Sequence, residues 1–371
     1  MNVRVPYALV GEDLELVEEV TIILNNQGIE AIEEGWDSKG ILVNALAMPS
    51  LFNAHIHLGD SVILERWINK ELSDIVDPRK GLKIRAFEKV KDEQMIKSMS
   101  QTLGLLKLIG VFGVSDFREE GYKGVKKGLS AAERANFEGY LPFARASSLE
   151  EGLKVLKISH GLGLPEPTYP DPNIARKLSE IFKNAGKPVG THVAEVGGRE
   201  ELYQAFELGV DFVVHGVNLE LEDFEELRKR NVAIVFCTRA NNWFKLEPKL
   251  KYAIEADVKF LIGTDNVAWT KPDLWREMEL ISIKLRKDGL FDEEIAKRIL
   301  KASTVWAQDV MKVPWRIPLE KGSDGFFLLL DIERLGFENS PNKYSVIVKR
   351  GGPETIVGYI IRGQFHQKVM C

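Results

Sequence analysis

Ala47-Met48-Pro49-Ser50-Leu51-Phe52-Asn53-Ala54-His55-Ile56-His57 is an apolar run that ends on two histidines one residue apart. Side chains alternate between the faces of a strand, so His55 and His57 share one face and Ile56 takes the other. The segments C-terminal to it make this run the first strand of a parallel sheet. Strand-sized apolar segments, predicted at 111–117, 140–145, 155–160, 188–192, 211–215, 232–237 and 259–265, alternate with helix-sized amphipathic ones. One helix is predicted through 85–109. Another opens on the capping box Ser148-Leu149-Glu150-Glu151, and Gly186 and Gly209 stand just past two more, where a left-handed residue is wanted. Eight strands in βα alternation predict an α/β fold, a (β/α)8 TIM barrel over residues 48–317.

The flanks read differently. Residues 19–25, 28–33 and 41–47 at one end, and 325–331, 345–350 and 355–361 at the other, are short β-type runs separated by turns. Neither flank is large enough to bury a core alone. Residues 1–47 and 318–371 are therefore expected to form one small composite β-sandwich. The 371 residues are too many for a single core, which agrees with a large domain and a small companion.

Composition narrows the classes. With 50 Lys+Arg against 55 Asp+Glu the formal net charge is −5, which offers no basic footprint for nucleic acid. No apolar run approaches the roughly 18 residues that a membrane span needs, and the start does not read as a signal peptide. Two cysteines, Cys237 and Cys371, are too few for a disulfide framework and suit a reducing compartment. The expectation is a cytoplasmic enzyme acting on a small molecule, alone or as a homo-oligomer, with neither nucleic acid nor membrane as partner.

Four of the six histidines end predicted barrel strands: His55 and His57 the first, His192 the fifth, His215 the sixth. Asp265 ends the eighth. In such barrels the active site is built at that rim. Neutral imidazoles with a carboxylate suit Zn²⁺ or Fe²⁺, and such an ion lowers the pKa of a coordinated water to about 7.

Pro49-Ser50-Leu51-Phe52-Asn53-Ala54-His55-Ile56-His57-Leu58-Gly59-Asp60-Ser61 resembles the first-strand motif of the amidohydrolase superfamily, nearest to its branch of chlorohydrolases, cytosine deaminases and S-adenosylhomocysteine deaminases. Thr191-His192-Val193-Ala194-Glu195 is similar to the fifth-strand His-x-x-Glu motif of that branch. Val214-His215-Gly216, Cys237-Thr238-Arg239-Ala240-Asn241 and Gly263-Thr264-Asp265-Asn266 resemble its sixth-, seventh- and eighth-strand motifs. The resemblance implies His55, His57, His192 and Asp265 as ligands of one divalent metal, zinc first and iron second. It implies further that His215 polarises the substrate, that Glu195 shuttles protons to a ring nitrogen, and that Asp265 takes a proton from the activated water. The implied reaction is deamination of a heterocyclic amine by metal-hydroxide attack at a C–N bond, a step that needs general acid–base help because the amine leaves poorly.

Two alternatives stand beside it. Lys157, in the predicted fourth strand, matches the place where two-metal members of the superfamily carry a bridging carboxylated lysine, which would make the protein a binuclear cyclic amidase or amide hydrolase. A catalytically silent scaffold is disfavoured, since no motif position is missing. Arg118, Arg145, His160 and Asn241 are candidate substrate contacts at the same rim, and either arginine could instead pair with a neighbouring acid. Residues 67–77 are a candidate lid. Cys237 reads as a small buried hydrophobe and His366 as a sandwich residue with no chemistry.

Overall fold

A computed structural model describes residues 1–36 and 39–368. They divide into two compact units, one of residues 1–52, 108–112 and 278 onward, the other of 53–107 and 113–277.

The first unit is built on a mixed sheet drawn from both ends of the chain. Its strands lie in the order Gln364–Gln367, Ile356–Ile361, Phe327–Asp331, Ala45–Pro49, Asn2–Val10, Glu15–Asn25 and Gly28–Glu34, with Ile41–Leu42 beside Asn2–Val10. Alternation drives it: Val20, Ile22 and Leu24 turn inward from one strand, and Val3 and Val5 from its neighbour. The strand Asn2–Val10 has no counterpart among the predicted runs. The segment 345–350, predicted as a strand, is the helix Lys343–Arg350. Its β-branched residues are overruled because Glu293 accepts the first-turn amides of Tyr344 (2.6 Å) and Ser345 (3.1 Å), and because Val346, Ile347 and Val348 are buried. Cys371 lies outside the described residues.

The second unit holds most of the parallel sheet, whose strands are numbered along the chain: β1 Leu51–His57, β2 Val111–Arg118, β3 Tyr140–Ala144, β4 Gly161–Leu164, β5 Val189–Val193, β6 Phe212–His215, β7 Ala233–Phe236, β8 Phe260–Ile262 and β9 Asp265–Asn266; the first two residues of β1 and of β2 fall in the first unit. They run in the order β8-β7-β6-β5-β4-β3-β2-β1-β9 as a curled sheet of TIM-barrel type. β8 pairs with β7 and β9 with β1, so one short segment of chain reaches both edges. The strands are buried on both faces, as parallel strands covered by helices are. Among the described residues no helix is long and apolar enough to cross a membrane.

Three predicted elements need correction. The run 47–57 is two strands: Pro49, with no N–H to donate, closes Ala45–Pro49, and β1 then enters the other sheet. The helix 85–109 is two helices, Leu82–Phe87 and Asp92–Leu108. The fourth strand is not 155–160 but Gly161–Leu164. Ser148 accepts the amide of Glu151 (3.2 Å) and starts a helix, Leu149–Leu156, that absorbs Val155 and leaves Lys157 as its C-cap. Glycines then make the strand because nothing larger fits. A Cβ at Gly161 would stand 2.6 Å from the ring of Phe143, and one at Gly163 would stand 2.8 Å from Phe117.

Candidate active site

The carboxyl ends of β1, β5 and β6 converge with the start of β9. Ring centroids are 4.9 Å apart for His55 and His57, 4.9 Å for His55 and His192, and 5.3 Å for His192 and His215. Asp265 Oδ1 lies 3.3 Å from His55 Nε2 and 3.6 Å from His57 Nε2. Ligand atoms of His55, His57 and Asp265 fall within 4.8 Å of one another, as do those of His55, His192 and His215, and those of Glu195, His215 and Asp265.

Backbone geometry aims several of these groups. Ala194, His215 and Asp265 hold φ of 50°, 74° and 56°. Non-glycine residues in this region cost on the order of 1–3 kcal/mol each and persist where the surroundings impose them, as at active sites. Gly263, just before Asp265, allows β1 and the β8–β9 segment to touch: a Cβ there would stand 2.7 Å from His55 Cβ and 2.8 Å from His55 O. Gly263→Ala is expected to cost about 1–3 kcal/mol by overpacking and to displace His55. Denaturant midpoints check the cost, and an unchanged midpoint would contradict it.

His55 and His192 are set up as neutral donors. His192 Nδ1 lies 3.0 Å from Leu164 O, which can only accept, so the proton sits on Nδ1 and Nε2 keeps its lone pair. His57 Nδ1 likewise faces Phe117 O at 3.1 Å and Glu119 Oε1 at 2.9 Å. Burial, with His57 and His215 close by, outweighs the pull of Asp265 and pushes His55 down to about 3. His192 is also held well below the ordinary histidine value, first by burial and then by His55 and His215. His55 is wholly buried and neither ring nitrogen has a hydrogen-bond partner. An imidazole orphaned in this way beside a carboxylate and two further imidazoles is what a cation site presents when its chemistry is read from donors alone, so the residues fit a divalent metal.

Glu195 is 15 % exposed and stands beside this cluster, its Oε1 3.5 Å from His215 Nε2 and accepting from Asn241 Nδ2 at 3.1 Å. Burial, seconded by Asp265, pushes its carboxyl up despite His215. Asp265 is lowered: burial alone would raise it, but the imidazole of His55 in contact at 3.3 Å, with those of His215 and His57 close by, prevails.

A pocket opens over the cluster. One wall is His57, His192, Glu195, His215 and Asp265; another is apolar, with Leu72, Val76, Ile84 and Phe87 from the short helices Leu72–Val76 and Leu82–Phe87; Lys83, Glu119 and Arg145 also line it. The segment 67–77 thus contributes through Leu72 and Val76.

The candidate substrate contacts separate. Arg145 lines the pocket with its guanidinium 5.8 Å from the ring of Tyr169. Asn241 is buried and spans His215 and Glu195. Arg118 does not face the pocket: its side chain is wholly buried and bound to Glu119 and Asp116, the acid pairing that was the other expectation. His160 precedes β4 and so lies at the amino end of that strand, opposite the rim where Leu164 meets His192. Lys157 is exposed at its helix end, which corrects its expected place in a barrel strand. Lys83 and Glu277 had no sequence signal, and Asp60 only its place at the end of the first-strand motif. Glu277, on the helix Leu274–Lys287, is wholly buried, and burial pushes its carboxyl up to about 8 although Arg239 lies close. Its folded value exceeds its unfolded one, so its contribution to stability is full below about 4.5 and is lost as pH rises towards 8. Glu277→Gln should therefore raise the melting temperature relative to the parent protein more at pH 8.5 than at pH 5; an equal difference at both would refute the assignment.

Residues 46–365 match the model of the amidohydrolase family. An uncharacterised protein of Methanocaldococcus jannaschii is 30% identical over 74% of this chain and 77% of its own. A protein of Natronomonas pharaonis named 5-methylthioadenosine/S-adenosylhomocysteine deaminase is 24% identical over 62% of this chain and 59% of its own. Among solved structures, an adenosine deaminase from Xanthomonas campestris with bound zinc superposes with a TM-score of 0.81 at 16% identity, covering 98% of this chain and 92% of that one. Guanine deaminase from C. acetobutylicum with guanine in its active site gives 0.79 at 12% identity, covering 98% and 99%.

Proposed function

The chain belongs to the amidohydrolase family, and on that premise we propose that this hydrolase is a metal-dependent aminohydrolase, replacing the amino group of a small heterocyclic amine by oxygen from water and releasing ammonia. The observation that carries the reading is the carboxyl of Glu195 in the pocket, 3.5 Å from His215 Nε2, beside the imidazole cluster. An amide hydrolase bridged by lysine has no use for it, and Lys157 stands away at a helix end. The name of the Natronomonas pharaonis relative points the same way.

His55, His57, His192 and Asp265 would hold the cation, zinc being the natural choice for three imidazoles and a carboxylate. When bound, it supplies Lewis acidity that lets water act as a nucleophile near neutral pH. The chain's own residues do the rest. Asp265 accepts a proton from the attacking water. Glu195, its pKa raised, delivers a proton to the ring nitrogen next to the carbon under attack; as the C–N bond breaks it takes back the proton of the newly added hydroxyl, and the proton held by Asp265 leaves with the amine as ammonia. His215, steadied by Asn241, hydrogen-bonds the oxygen as charge develops on it. Arg145 and the apolar wall orient the ring.

The same reading takes the curled sheet as a closed (β/α)8 barrel whose eighth strand is the interrupted segment 260–266, because that segment pairs with both β7 and β1. It takes the mixed sheet as a β-sandwich folded over one core, since Ile29 and Ile360, from strands far apart in the order, share that core. Metal analysis of the purified protein, combined with a panel of purine, pyrimidine and triazine amines assayed for ammonia, tests the proposal. About one metal per chain with ammonia release is expected. Two metals per chain with ring opening, or no metal at all, would overturn it.

A further inference from the structure

Behind His57 lies a buried ionic network that the reaction as described does not use. Glu119 Oε1, 2.9 Å from His57 Nδ1, is also 2.5 Å from Lys83 Nζ, and Glu119 Oε2 is bound by the guanidinium of Arg118. Lys83 reaches on to Asp60 Oδ2 at 2.8 Å, and Arg118 to Asp116 Oδ2 at 3.5 Å. Asp116 in turn accepts the amide of Leu58 (2.9 Å) and the hydroxyl of Tyr140 (2.7 Å). None of these five charged side chains is more than 7 % exposed. Replacing buried ion pairs with apolar side chains of similar size is often neutral or stabilising, so such a network is weakly explained by the fold alone. What it touches is an imidazole of the candidate metal site.

We propose that Glu119, clamped between Lys83 and Arg118, is a positioning residue that keeps the proton of His57 on Nδ1 and strengthens Nε2 as a metal donor. Carboxylates in this relation to a ligating histidine fix its tautomer and ring orientation and raise its basicity. The clamp has a second consequence. Lys83 sits on the helix Leu82–Phe87 with Ile84 and Phe87, which line the pocket, so the contact that steadies Glu119 also pins the substrate wall to the ligand. The inference rests on the metal-site reading above.

Glu119→Gln keeps the shape of the side chain and removes its charge. Zinc affinity, read by competition with a chelating dye, is expected to fall about 10–100-fold, and the visible spectrum of the cobalt-substituted protein to shift. If the parent protein binds no zinc, the metal-site reading falls and this inference with it. If the parent binds zinc while Glu119→Gln binds equally tightly with an unchanged cobalt spectrum, this inference alone falls. Should the variant not fold, the unsubstituted zinc-loaded protein decides, labelled with ¹⁵N at its six histidines and assigned with His57→Gln. His57 Nδ1 also faces Phe117 O, so His192, whose Nδ1 meets only the carbonyl of Leu164, is the control. A His57 Nδ1 proton resonating clearly downfield of that of His192, as a carboxylate partner draws it, supports the positioning role, and a proton on Nε2 or one indistinguishable from that of His192 overturns it.

Discussion

Glu195→Gln is expected to reduce ammonia release about 10²–10⁴-fold while leaving the metal content of the protein unchanged. The reason is the separation of duties around the cluster. Glu195 lines the pocket, hydrogen-bonded to Asn241 and beside His215. A glutamine there can still accept from Asn241, so the local structure survives, but it carries no proton for the ring nitrogen. The raised carboxyl pKa adds a signature: in the proposed mechanism Glu195 both gives and takes a proton, so kcat should depend on pH through it, and the variant should lose that dependence along with its rate. Steady-state ammonia assays with metal analysis on the same preparations check this; full turnover in the variant would remove Glu195 from the mechanism.

Asp265→Asn is expected to have the larger effect, weakening metal binding and lowering turnover by about 10⁴-fold or more, because in the proposed mechanism Asp265 is both ligand and base. The substitution is clean because asparagine, like aspartate, tolerates the left-handed backbone that Asp265 adopts at φ 56°. What disappears is the charge facing two imidazole nitrogens, at 3.3 and 3.6 Å. Metal content by mass spectrometry and ammonia release after zinc add-back measure the two losses separately. A variant that keeps its metal and its rate would show that the cation, if bound, is held elsewhere.

Much of the site was legible because its residues follow apolar runs at strand ends. His55 and His57 announce themselves by a period of two, and His192, His215 and Asp265 by closing runs such as Phe212–His215. Lys157 and His160 misled for a physical reason: Val155–Ile158 is as apolar as a strand, while the real strand contains two glycines, poor strand formers on any local scale. Packing demanded them, since Phe117, Phe143 and Phe212 fill the interior with centroids 5.5–6.0 Å apart. No local pattern carries that demand. Arg118 was ambiguous for a related reason, because a cation at a strand end looks the same whether it meets substrate or a buried acid.

From the chain alone came the βα alternation, the family resemblance, and the polar residues that strand periodicity directs to one rim; these are local properties, set by spacing and side-chain alternation along a few residues at a time. Tertiary structure alone decided which polar groups would share a buried volume. Glu119 and Lys83 are distant in sequence and sit on different elements, and they meet beside His57 because folding removes both from water and leaves each charge only the other, Asp60 and Arg118 to answer it. Such pairings depend on desolvation in three dimensions, which no one-dimensional pattern records.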